Sequence, residues 1–105
     1  MLFVEAKRNK GNAWYGNTMY YVYILKSKID NKFYTGFTSD LKKRLKEHTK
    51  GNVASTKGRR PLELFYYEAY QEKQLALQRE KFLKTTKGKQ QLKKQFGGLA
   101  KVFSI

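Results

Sequence analysis

The pattern of apolar and polar positions changes period several times along this chain, and each change marks an element. Residues 20–27, YYVYILKS, are aromatic and β-branched and read as a strand. KIDN at 28–31 carries the turn-prone pair Asp30-Asn31, and KFYTGFT at 32–38 returns to strand composition, so the two runs predict a β-hairpin. The spacing then becomes helical over 39–50, with Thr38 or Ser39 as cap, Asp40 in the first turn and Gly51 as the stop. A basic loop, NVASTKGRRP at 52–61, leads into a third strand, LELFYYEAY at 62–70. A helix is predicted from Glu72 to about Thr85, with Leu75, Ala76, Phe82 and Leu83 on its apolar side. A shorter one follows over about 87–96, with Leu92 and Phe96 at i, i+4. The expected fold is α/β of the α+β kind, a small, mostly antiparallel three-stranded sheet flanked by helices in the order β-β-α-β-α-α.

These periods also place side chains. If the hairpin loop is 28–31, Ser27 faces Lys32, Tyr23 lies opposite Gly36, and Tyr34 is the diagonal neighbour of Tyr23. Equal parity puts all three on one face, and a one-residue slip would separate the tyrosines. A strand glycine allows close approach of a ligand, or simply marks a bulge. On the first helix, Leu41, Arg44, Leu45 and His48 fall at i, i+3, i+4 and i+7, the spacing of a buried stripe. Arg44 can snorkel from that stripe and His48 can be a satisfied edge histidine. Glu80 falls at the border of the second helix's apolar face. There it can meet a hard cation through oxygen, or pair with Lys84.

Charge alters the picture. Among 105 residues, 23 are Lys or Arg against 8 Asp or Glu, a formal net charge of +15. A polyanion is the natural partner of such a surface. With 40% hydrophobic and 15% aromatic residues, the chain has the makings of one core. It contains no cysteine, which excludes disulfides and thiolate metal sites and fits a cytoplasmic location. No apolar run approaches a membrane span, and no signal-peptide core is found near the start. Residues 1–18 read as a flexible arm, 19–96 as the domain and 97–105 as a tail.

The ordered set of motifs resembles the GIY-YIG nuclease family over about residues 19–95. YVY at 21–23 stands where the family has Gly-Ile-Tyr, and YTG at 34–36 where it has Tyr-Ile-Gly. FTSDLKKRLKEH is similar to the family's arginine helix, with Arg44 and His48, and ALQREKFLK at 76–84 to the segment carrying its metal-binding glutamate, here Glu80. Tyr21, Thr35 and Phe37 depart from the usual glycine, isoleucine and occasional lysine. The subgroup it resembles is that of small bacterial single-domain proteins similar to the nuclease module of the excision-repair incision subunit.

The resemblance implies hydrolysis of a DNA phosphodiester with Mg²⁺ or Mn²⁺, in a DNA-repair or related setting, with no small-molecule substrate and no membrane. It implies that Tyr23 or Tyr34 takes a proton from the attacking water, its acidity raised by nearby cations, while the other orients that water. Arg44 would grip the phosphate, His48 would hydrogen-bond a tyrosine or the phosphate, and Glu80 would hold the metal. Gly36 is expected to leave room for the reacting group. Lys43 and the loop residues Thr56, Lys57, Arg59 and Arg60 are expected to meet the DNA backbone. The alternatives are a non-catalytic nucleic-acid-binding module on the same fold and a basic protein bound to ribosomes or acidic membranes. Oligomeric state is left open.

Overall fold

The computed structural model describes residues 18–96. Apart from Thr18, the N-terminal arm expected at 1–18 lies outside the described residues, as does the tail expected at 97–105. Three strands, β1 (Tyr20–Ser27), β2 (Phe33–Thr38) and β3 (Leu62–Tyr70), form one antiparallel sheet in the order β2-β1-β3. Three α-helices follow the expected order: α1 (Leu41–Lys50), α2 (Lys73–Leu83) and α3 (Thr86–Gln95). A single 3-10 turn, Lys57–Arg59, lies in the basic loop.

The hairpin has the register expected from its loop length, with Tyr23 opposite Gly36 and Leu25 opposite Tyr34. Asn31 occupies the left-handed region at φ 59°, a conformation asparagine tolerates better than most residues. The Ser27 hydroxyl receives the Ile29 and Asp30 amides and donates to the Arg59 carbonyl at 2.7 Å. Asp30 accepts from the Lys32 amide and from Arg59 Nε, at 2.9 and 3.2 Å. One buried serine and one aspartate thus tie the hairpin turn to the basic loop.

Each sheet face has its own cover. Val22 and Ile24 point to the side where Ala76, Leu83 and Leu92 of α2 and α3 complete a fully buried core. Tyr21, Tyr23 and Leu25 point to the α1 side. An extra residue in β3 shifts the register, since Ile24 pairs with Tyr66 and Leu25 with Leu64. That bulge lets Phe65 and Tyr66 both pack against Phe96, with ring centroids 5.3 and 5.0 Å away.

Two expectations are corrected. Asp40 is the cap of α1 rather than a first-turn residue: its carboxylate accepts from the Lys43 amide at 3.1 Å, while Thr38 Oγ1 accepts from the Asp40 amide at 3.0 Å. The carboxylate still meets the positive end of the helix dipole. Leu75 is half exposed, while Ala76 and Leu83 of the same face are buried as expected. The apolar face of α2 is narrower than expected, centred on Ala76 and Leu83 with Phe82 packed against the core and Leu75 at its margin.

Candidate active site

The site forms where the Tyr23 ring crosses Gly36. A Cβ at Gly36 would overlap both Cζ and Oη of Tyr23. Gly36 therefore does not leave room for a ligand, as the sequence suggested. Its missing side chain is filled by the phenol of its own cross-strand partner. The ring's path carries the Tyr23 hydroxyl toward the β2 edge, into reach of α1.

There the Tyr23 hydroxyl and His48 Nε2 share a 2.8 Å hydrogen bond, and His48 Nδ1 and Thr56 Oγ1 share one of 2.7 Å. All three residues are buried, at 0–1% exposure. A neutral imidazole donates from one nitrogen and accepts at the other, so this three-residue chain has a single direction at any moment. Thr56 was expected to touch DNA; it is enclosed, and its hydroxyl orients the histidine. Tyr34 stands on the more open side of His48, with ring centroids 5.3 Å apart and 6.4 Å from Tyr23. The Ser55 hydroxyl donates to the Tyr34 hydroxyl at 3.4 Å.

Arg44 and Glu80 both act on the Tyr23 phenol. The Arg44 guanidinium lies against the Tyr23 hydroxyl, and the Glu80 carboxylate acts on it from α2. Burial pushes the Tyr23 phenol up to about 12, Arg44 pulls it down, and Tyr34 and Glu80 add to the rise. The expected acidification by surrounding cations therefore fails at Tyr23, because loss of hydration outweighs the one guanidinium beside it. Burial also lowers His48, helped by the charge of Arg44 and opposed by Glu47.

The His48 shift has a testable sign. A histidine whose folded pKa lies below its unfolded value is neutral in the fold, while the unfolded chain takes up the proton first as pH falls. The stability it confers is present above about pH 6.5 and declines below it. Thermal melts of the wild type are expected to drop between pH 7 and 5, and His48→Asn is expected to flatten that part of the profile. Equal slopes in the two proteins would show that the ring carries no such role.

Arg44 Nη1 donates to Glu47 Oε1 at 2.8 Å on the wall of a cleft of about 310 Å³. Phe37, Thr38, Asp40 and Lys43 line the same cleft, so Lys43 stands beside Arg44 as a second cation. Glu80 Oε2 pairs with Lys84 Nζ at 3.0 Å, one helical turn on. Among the described residues no three of His, Asp and Glu gather into a metal cage. One part-buried carboxylate still suits Mg²⁺ or Mn²⁺, since Mg²⁺ keeps several waters and is commonly held by one or two carboxylates plus substrate phosphate. Of the basic loop, Lys57 is exposed, Arg59 is drawn onto Asp30, and Arg60 donates to the Lys57 and Thr49 carbonyls.

The sequence did not single out Glu68. Its two oxygens accept from Tyr66 and Tyr70 hydroxyls at 2.7 and 2.6 Å and from Arg79 at 2.9 and 3.0 Å. Arg79 precedes Glu80 on α2, so this bond set anchors the helix that presents the candidate metal ligand. The signal was an acid flanked by tyrosines two residues either side, placed on one strand face by parity.

Comparison with known proteins agrees with the motifs. The family model described as the GIY-YIG catalytic domain matches residues 19–94. A UPF0213 protein of Clostridium perfringens is 45% identical over 75 residues, covering 70% of this chain and 80% of that protein. One from Haloquadratum walsbyi is 40% identical over 79 residues, covering 72% and 88%. The solution NMR structure of a UPF0213 protein from Bacillus halodurans superposes with a TM-score of 0.50 at 37% identity, covering 80% of this chain and 92% of that one. With its tyrosine pair, arginine helix and Glu80 in the matched segment, the chain belongs to the GIY-YIG family and, within it, to the UPF0213 group.

Proposed function

We propose that this protein is a divalent-metal-dependent endonuclease that hydrolyses a DNA phosphodiester. The observation that carries the reading is the gathering of two phenols, an imidazole and a guanidinium from β1, β2 and α1 about the Tyr23 hydroxyl, with the Glu80 carboxylate of α2 acting on that phenol and Arg44 opening onto the cleft. Tyr34 is the proton acceptor for the attacking water, because its phenol is partly open while Tyr23 is enclosed and hard to ionise. Tyr23, His48 and Thr56 form the rigid backing against which Tyr34 is set. Arg44 exchanges Glu47 for the scissile phosphate, which its planar fork can grip through two oxygens. Water oxygen bonds to phosphorus as the P–O bond to the leaving strand breaks, and that oxygen leaves with a proton from solvent. When bound, Mg²⁺ or Mn²⁺ supplies Lewis-acid polarisation of the phosphate and charge relief at the leaving oxygen. Glu80 is the residue that would hold it. Lys43, Lys57 and Arg60 sit where backbone phosphates flank the site.

One observation favours a non-catalytic binding module instead: Arg44 and Glu80 are both already ion-paired, to Glu47 and Lys84. Metal dependence separates the two readings. Supercoiled plasmid or branched DNA is expected to be nicked with Mg²⁺ or Mn²⁺ and left intact with chelator, while binding persists in both. Intact DNA across flaps, forks, junctions and plasmid with either metal would leave only the binding module. Among the described residues no helix is long and apolar enough to cross a membrane.

A further inference from the structure

On the sheet face that carries Tyr23, one strand further from β2, lies an aromatic patch that the proposed reaction does not use. Tyr67 pairs directly with Tyr23 across β1 and β3, so about 4.8 Å of strand spacing separates their backbones. Its side chain is 47% exposed, although it sits in the middle of a strand. The Tyr21 ring stands 6.0 Å from it, tilted by 59°, and Leu64, 39% exposed, shares the same face. Tyr21 in turn pairs with Thr38, a wall residue of the Arg44 cleft. Tyr21 therefore lies between the patch and a wall residue of the cleft.

The charge around the patch says what fits it. In a chain of net charge +15, the segment from Pro61 to Glu72 has three glutamates and neither lysine nor arginine. Glu68 is turned to the other face and held by Arg79. A phosphate has no partner along this strand, whereas an aromatic ring offers the flat face of a base a surface regardless of sequence. On the same face, α1 has Lys43 and Arg44 for the backbone.

We propose that Tyr67, with Tyr21 beside it, is a stacking site for an unpaired nucleobase adjoining the phosphate held at Arg44, which makes single-stranded or branched DNA the favoured substrate class. The proposal rests on the nuclease reading for the position of that phosphate, and its test separates the two. Single-stranded dodecamers, each carrying 2-aminopurine at one position, are bound in chelator to wild type, Tyr67→Phe and Tyr67→Leu. Fluorescence at one or two positions is expected to be quenched severalfold by wild type and Tyr67→Phe. Tyr67→Leu, which keeps apolar area without a π face, is expected to lose the quench and bind about tenfold more weakly. Equal quenching by Tyr67→Leu would overturn the stacking site, as would a dimer that Tyr67→Leu dissolves, since the edge would then belong to a second copy. Adding Mg²⁺ reads the other claim: a Tyr67-dependent quench without any cleavage by wild type sinks the nuclease reading and leaves the base site standing.

Discussion

Arg44→Ala is expected to lower nicking by at least about two orders of magnitude, the usual scale for removing one preorganised charge from a developing oxyanion. The fold should hardly notice. Arg44 is a third exposed, and its bond in the native state is an i, i+3 pair with Glu47. Such a pair contributes roughly 0.2–0.5 kcal/mol, about 2 °C of melting temperature at this size. Arg44→Lys should not restore the rate, because an ammonium cannot make the paired contact of a guanidinium with two phosphate oxygens. Glu80→Gln should fall similarly and respond differently. Its residual activity should rise with metal concentration, whereas that of Arg44→Ala should not. Nicking of plasmid under single-turnover conditions, with melts on the same samples, reads both effects. Full activity in Arg44→Ala would remove the phosphate from this cleft.

The second large effect lies at Gly36, a residue that does no chemistry. An alanine methyl there occupies the space of the Tyr23 ring, so the ring must turn away and leave His48 without its partner. Overpacking of this kind costs about 1–3 kcal/mol, and each kcal/mol is worth roughly 4–8 °C in a domain this small. Activity should fall with it, since the backing of Tyr34 is lost. A double-mutant cycle isolates the cause. Gly36→Ala should cost much less in a Tyr23→Leu background, where no ring lies across β2, and simple additivity of the two losses would refute the ring contact.

These residues also show what the sequence could and could not convey. The pairing of Tyr23 with Gly36 was legible because a four-residue loop fixes strand parity, and parity alone decides which side chains share a face. The stripe of Arg44 and His48 was legible for the corresponding reason in a helix. What Gly36 does was not legible, because strand position says nothing of the direction in which a cross-strand ring leans. Thr56 was misplaced because its burial depends on the path of a loop held by Ser27 and Asp30, partners about thirty residues away in the chain. Leu75 was misplaced because helical spacing fixes which residues share a face but not where the edge of that face meets solvent. The acidity of Tyr23 was misjudged because total charge was weighed where local hydration decides.

The Glu68 carboxylate has a consequence beyond anchoring. Its four incoming bonds lie on the sheet face away from the cleft, yet one pair of them comes from the residue immediately before Glu80. Tolerance to change should therefore be lopsided across the sheet. Swapping Tyr70 for phenylalanine, on the face away from the cleft, removes one of the donors that fix the Glu68 carboxylate against Arg79, and should surface as a weaker apparent affinity for the proposed cation with little change in DNA binding.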